Sequence, residues 1–226
     1  MNDAASLLAT LQQADSFFPA GGVAFSWGLE TLVTEGVFRA DRDLRQLLMG
    51  QFEQRWATFD RCALVAAFET MPDLAGVARI DQRIDAMSLA RELRDGSRRA
   101  GASLLGVHER LGTPGASEYR TAVRAGSACG HLPVVQGLVW RGAGMTVGQA
   151  QVASAHTFCV SLLGAALRLG AIGHLHAQET LVGLRAEMAK LLAEPAPSFE
   201  DCYAYTPMAE IAVMRHEVQS ARLFAN

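Results

Sequence analysis

The stretch Asp43-Leu44-Arg45-Gln46-Leu47-Leu48-Met49-Gly50-Gln51-Phe52-Glu53-Gln54-Arg55-Trp56-Ala57-Thr58-Phe59-Asp60-Arg61-Cys62-Ala63-Leu64-Val65-Ala66-Ala67-Phe68 decides the fold class of this 226-residue chain. Leu44, Leu47, Leu48, Phe52, Trp56, Phe59, Ala63 and Ala66 recur at spacings of three and four. Arg45, Glu53, Gln54 and Arg61 fall off that stripe. A half-buried strand would alternate at every second position, so the period predicts one long amphipathic helix with its stripe on a core.

The same period extends outward. After Asp85, the series Leu89, Leu93, Gly96, Ala100, Leu104, Val107 and Leu111 predicts a second long helix, stopped at Gly112 with Pro114 beyond. Thr146 and Gln149 form a capping-box pattern opening an apolar stretch through Leu169. Gly170 and Gly173 punctuate its end before a further helix to about Ala193. Pro195 and Pro197 make a short linker, and Thr206 as N-cap with Pro207 at the first helical position announces a last helix to about Phe224. No sustained β-branched alternation interrupts the series. The expectation is an all-α fold, a single-domain bundle of roughly eight to ten helices over residues 1–226, with Gly50, Gly96, Gly101, Gly106, Gly164 and Gly170 permitting close helix contact.

Half of the residues are hydrophobic and 19% are charged, which excludes a disordered chain. A net charge of −3 gives no electrostatic footprint for nucleic acid or an anionic membrane surface. Cys62, Cys129, Cys159 and Cys202 form no CxxC pair and read as reduced thiols of a cytosolic protein. Met1-Asn2-Asp3 opens no secretory signal. The most membrane-like stretch, Val152 to Gly173, carries His156 and Arg168 and reads as a buried helix. Lys190 is the sole lysine among 20 basic residues. A GC-rich genome accounts for most of that bias, and arginine's preference for interfaces is the competing account.

Several chemistries lack their residues. A P-loop needs a Gly-Lys pair, and Lys190 follows Ala189. His216-Glu217 and His108-Glu109 begin zincin-like patterns, but Ser220 and Gly112 stand where the second histidine belongs. His174, His176 and Glu179 cluster in a helical segment. Residues two apart on a helix point about 200° apart, so only His176 and Glu179 share a face. A metal-dependent all-α enzyme built around those three residues is the competing reading, and a generic helical scaffold is a third.

Two segments exceed what a core requires. Ser16-Phe17-Phe18-Pro19-Ala20-Gly21-Gly22-Val23-Ala24-Phe25-Ser26-Trp27-Gly28-Leu29-Glu30 sets aromatics, a proline and paired glycines in a turn between helices. It is either a loop tucked into the bundle or an apolar knuckle offered to another protein. In the last helix, Arg215 and Arg222 fall within the stripe of Met208, Ile211, Ala212, Gln219 and Leu223. If buried they need acceptors, and otherwise they snorkel to solvent. The opposite face carries Val213 and Phe224 beside Glu210 and Glu217, so the helix is apolar nearly all round and implies a partner on its second face.

At these segments the sequence resembles the UreF family of urease accessory proteins. Pro19 to Glu30 resembles the family's Pro-x-Gly-x-Phe-x-aromatic-Ser-x-Gly-Leu-Glu signature, and Ile211-Ala212-x-Met214-Arg215-His216-Glu217 through Arg222-Leu223-Phe224 its C-terminal motif. Arg91-Glu92-Leu93-Arg94, Gly130-His131-x-Pro133-Val134-Val135, Arg168-Leu169-Gly170 and Ala177-Gln178 are further matches, so the resemblance covers nearly the whole chain. Val23 departs from a common phenylalanine, and Trp27 from a common Gln or His. The resemblance implies a cytoplasmic, non-catalytic homodimer without cofactor or metal of its own. It implies binding to the UreD/UreH accessory protein, recruitment or modulation of the UreG GTPase, and, through the complex, nickel delivery to urease apoprotein. The residues expected at interfaces are Phe18, Pro19, Gly21, Phe25, Ser26, Trp27, Gly28, Glu30, Arg215, His216, Glu217, Arg222, Leu223 and Phe224.

Overall fold

The periodic stretch does form one helical rod, wound in two ways. In the computed structural model, which describes residues 3–19, 25–219 and 223–224, α3 (Ala40–Gln51) runs through a π-helical stretch (Phe52–Asp60) into α4 (Arg61–Thr70) without a break. Phe52, Trp56, Phe59 and Ala63 are buried as the period requires. The wider π turns also rotate Arg55, Asp60 and Arg61 inward. Arg61, expected off the core stripe, is instead buried, and its guanidinium donates to Leu191 O (2.9 Å), Glu194 O (2.6 Å) and Gln151 Oε1 (2.7 Å). Its charge thereby meets free carbonyls at a helix C-terminus, where a cation is favoured.

Around this rod lie α1 (Asp3–Ala14), α2 (Leu29–Thr34), α5 (Leu74–Met87), α6 (Arg91–Arg110), α7 (Ala116–Arg124), α8 (Leu132–Gly142), α9 (Val147–Arg168), α10 (His174–Ala193) and α11 (Pro207–His216). No strand occurs among the described residues, so the fold is all-α. The second long helix begins later than its pattern implied. Leu89 lies in the break between α5 and α6 and is 75% exposed, while Leu93, Gly96, Ala100 and Leu104 are buried. Gly112, at φ +70°, ends the turn after α6 in the left-handed conformation that glycine adopts without strain. Thr146 and Gln149 form both bonds of the capping box that opens α9.

Two large apolar clusters fill the interior, with a small third one of Ala90, Leu93 and Val213 between α6 and α11. Phe68, Leu105, Tyr119, Leu138 and Trp140 belong to one, between α4 to α8; Leu48, Phe52, Trp56, Leu162 and Leu184 belong to the other, between α3, α9 and α10. α9 enters both, with Ala150 and Ala153 in the first and Ala155 through Ala166 in the second. By length and apolarity α9 meets the requirement for a membrane span, yet 56% of its most apolar stretch is buried within the fold. It is the helix on which the two halves of the bundle are joined.

Asp81 nucleates a second kind of order. Fully buried, it accepts the Tyr119 hydroxyl (2.8 Å) and the backbone N–H groups of Cys129 (2.8 Å), Gly130 (2.5 Å) and His131 (2.9 Å). Burial and the Asp81 carboxylate together hold the Tyr119 hydroxyl protonated well above its ordinary pKa. The loop before α8 is therefore locked, which seats Pro133 at the start of that helix.

Candidate protein-interaction site

Segments that carry the family resemblance, from both ends and the middle of the chain, meet around one buried pair, Glu30 and His216. Gly28, with φ +80°, caps the turn into α2 and lies so close to α11 that a Cβ there would stand 2.7 Å from Ala209 O and 3.0 Å from Ala212 Cβ. Only glycine combines that conformation with that approach. It brings Glu30, in the first turn of α2, beneath the end of α11. Glu30 Oε1 accepts from Leu223 N at 2.6 Å, and Oε2 accepts from Phe224 N at 3.1 Å.

His216 completes the junction. Its Nε2 lies 2.9 Å from Glu30 Oε2 and its Nδ1 lies 2.8 Å from Glu92 Oε2, all three groups being buried. Two ring nitrogens facing two carboxylates need one proton in each contact, carried by the ring or by a carboxyl. The next residues repeat the link at the surface, where Arg91 donates to Glu217 at 3.1 Å. Gln219 Nε2 donates to Thr31 Oγ1 at 3.3 Å. Beyond them the Arg168 guanidinium lies 4.3 Å over the Phe224 ring, where burial lowers its pKa. Thus α2, α6, α9 and the tail after α11 are held by polar contacts around a few buried groups.

The knuckle is partly a tucked loop. Phe25 is buried against Gly96, where an added Cβ would lie 2.4 Å from Phe25 Cε1. Phe25 stacks on Trp27 (centroids 5.5 Å), and Trp27 packs on Phe158 (5.2 Å). Trp27 holds φ +54°, unusual for a bulky residue. Ser26 is buried beside them. Phe18 is half-buried against His108, Pro19 is exposed, and Phe17, part of the same aromatic stretch but not among the residues expected at interfaces, is 92% exposed. Gly21 lies outside the described residues.

The last helix differs from its expected form in two respects. It ends at His216 rather than near Phe224. Its buried face is Ala209, Ala212, Val213 and His216, so Arg215 is exposed and pairs with Glu35 at 3.0 Å instead of entering a core. The stripe of Met208, Ile211 and Met214, with Val218 after the helix, faces outward and is exposed. Leu223 is exposed and Phe224 buried, while Arg222 lies outside the described residues. Glu92 and His216 as a buried pair were missed as such. Their shared signal was the REL and RHE triplets, which gave no indication that they meet.

His174 and Glu179 are exposed on α10 and His176 is half-buried, its carbonyl accepting the Thr180 hydroxyl. Among the described residues no three His, Cys, Asp or Glu side chains are grouped to hold a metal ion.

A protein-family model described as UreF matches residues 38–185. Over the whole chain and 99% of the relative, the sequence is 31% identical to a urease accessory protein UreF of Trichodesmium erythraeum (strain IMS101). It is 32% identical to that of Paenarthrobacter aurescens (strain TC1), over 96% of each chain. It is 29% identical to that of Actinobacillus pleuropneumoniae serotype 3 (strain JL03), over 96% of this chain and 97% of the relative. The family model stops short of Glu30 and His216, but the full-length likenesses run through both.

Proposed function

Because this chain belongs to the UreF family of urease accessory proteins, we propose that it is a urease maturation factor and not itself an enzyme. It acts as an adaptor that binds the UreD/UreH accessory protein, recruits or modulates the UreG GTPase, and so serves nickel delivery to apo-urease. A cytoplasmic homodimer belongs to the same reading and rests on the family alone.

The observation that carries the adaptor role is the convergence on Glu30. A buried acid, a buried imidazole and two backbone N–H groups are consumed in fixing the chain's tail against α2 and α6. What this leaves outward is a rim of Met214, Arg215, Val218 and Leu223. A rim held by buried ties loses little side-chain and backbone freedom when a partner docks, which is how a preorganised surface gains affinity. Apolar residues flanked by an arginine are the composition of an interface centre.

The test is co-expression with the urease cluster partners, followed by affinity capture with and without GTP and nickel. Wild-type protein should retain the UreD/UreH protein and, through it, the P-loop GTPase. Leu223→Asp and Met214→Asp should lower capture at least tenfold, with an unchanged circular dichroism spectrum. Full capture by both variants would remove this rim from the interface, and no capture by the wild type would remove the adaptor role.

A further inference from the structure

A partly open cavity of about 80 Å³ lies where the Trp27 turn meets the π-helical stretch; most of its wall is apolar, and Trp27, Arg55, Asp60, Gln136, Ser154 and Thr157 set polar groups into it. Two of its wall residues carry donors that no acceptor among the described residues reaches: Trp27 Nε1 and Arg55 Nε, both sealed from solvent. Arg55 is about 6% exposed, and its guanidinium lies 5.2 Å over the Trp27 ring. Its nearest carboxylate is Asp60, at 3.6 Å from Nε, which is too long for a hydrogen bond. Burial pushes the Asp60 carboxyl up, against the lowering pull of Arg55. A buried donor without an acceptor costs about 1–3 kcal/mol, and more when it is charged. Two in one wall are costly unless something in the cavity accepts from them.

Size and charge restrict the occupant. Drug-sized ligands fill roughly 300–1,000 Å³, whereas one water needs about 10–15 Å³ of such space. Arg55 and Asp60 bear opposite formal charges, so a neutral acceptor that can also donate onward fits better than an ion. We propose that this cavity is a structural hydration site: ordered water accepts from Trp27 Nε1 and Arg55 Nε and bridges the guanidinium to Asp60. The water makes the buried ion pair indirect and ties the Trp27 turn to the π-helical stretch. Ser154 is already engaged, accepting from Trp56 Nε1 at 3.1 Å and donating to Gln136 Oε1 at 3.3 Å, so it extends the polar wall without supplying the missing acceptor.

The chain's three tryptophans make the proposal measurable on the intact protein. Water-to-indole cross-relaxation is recorded by NMR for each indole N–H. Trp56 and Trp140 line the same cavity but already donate, to Ser154 Oγ at 3.1 Å and to Gln13 Oε1 at 2.9 Å, so each should give a weaker water signal than Trp27. Trp27 should show a direct cross-peak of the sign given by long-lived bound water, stronger than that of Trp56. In Arg55→Met the peak should weaken several-fold. If that variant does not fold, the wild-type comparison of Trp27 with Trp56 and Trp140 decides alone. A Trp27 signal no stronger than that of Trp56 would overturn the hydration site. So would a saturable shift of the Trp27 indole on titration with formate, which would place a small oxyanion there instead.

Discussion

Glu30 and His216, 186 positions apart in the chain, meet at 2.9 Å between Oε2 and Nε2 in a site closed to solvent. Because Glu30 also accepts from Leu223 N and Phe224 N, its removal strands an imidazole and two backbone donors together. A buried polar group left without its partner costs about 1–3 kcal/mol. Glu30→Ala should therefore lower stability by about that amount in urea unfolding. The double variant with His216→Ala should cost clearly less than the sum of the two single changes. Additive losses would show that the two side chains are not coupled.

Gly96 and Phe25 make a steric prediction. A methyl at Gly96 would lie 2.4 Å from Phe25 Cε1, on a helix face that cannot retreat from its own backbone. Overpacking of this kind costs about 1–3 kcal/mol, against the small gain in helix propensity from glycine to alanine. Gly96→Ala should be destabilised accordingly, and Phe25→Leu should restore part of the loss by withdrawing the ring edge. Thermal melts of the two single variants and the double variant read this directly. A stabilised Gly96→Ala would contradict the contact.

The helical class was legible because a 3.6-residue period in Leu44 to Ala63 and a capping box at Thr146 are local signals, read within a few residues of where they act. What escaped was set by distant partners. In α1, Ser6, Thr10 and Gln13 face inward while Leu7, Leu8 and Leu11 are exposed, inverting the ordinary rule. The reversal is possible because Ser6 meets Gln149 and Gln13 Oε1 accepts from Trp140. Arg61 was placed outside because a 3.6-residue wheel does not foresee π turns. For Arg215 the sequence leaves burial and exposure open, because its neighbours Met208 and Ile211 are apolar; that stripe faces solvent, and the exposed alternative holds. The Glu30, Glu92 and His216 junction was legible only as separate motifs, since nothing in their spacing tells which segments meet.

His108 gives the chain a pH dependence. Buried between Gln13 Oε1 (3.1 Å) and the Thr113 hydroxyl (2.8 Å), it has its pKa lowered by burial to about 4, from 6.5 when unfolded. Between those values the unfolded chain binds a proton that the folded chain refuses, so stability falls as pH drops from 6.5 toward 4. From pH 7 to 5 the loss attributable to this residue is about 2 kcal/mol. His131, also lowered by burial, has the same sign, and Asp60, raised by burial, the opposite one. Urea midpoints of His108→Gln should therefore fall less between pH 7 and 5 than those of the wild type. Parallel slopes would acquit His108.

Arg215 separates stability from docking. Its pair with Glu35 is exposed, and such pairs contribute about 0–1 kcal/mol. Arg215→Glu sets two carboxylates side by side at the surface, so the melting temperature should move little and the helical circular dichroism not at all. If the rim of Met214, Arg215, Val218 and Leu223 meets the UreD/UreH protein, the same change should weaken that complex by tenfold or more, which corresponds to about 1.4 kcal/mol. Arg185→Glu, an exposed reversal on α10, serves as the control for net charge alone. Equal binding by the two variants would take Arg215 off the docking face. Weakened binding by Arg215→Glu alone, with both melts near the wild type, would assign the loss to contact at the rim.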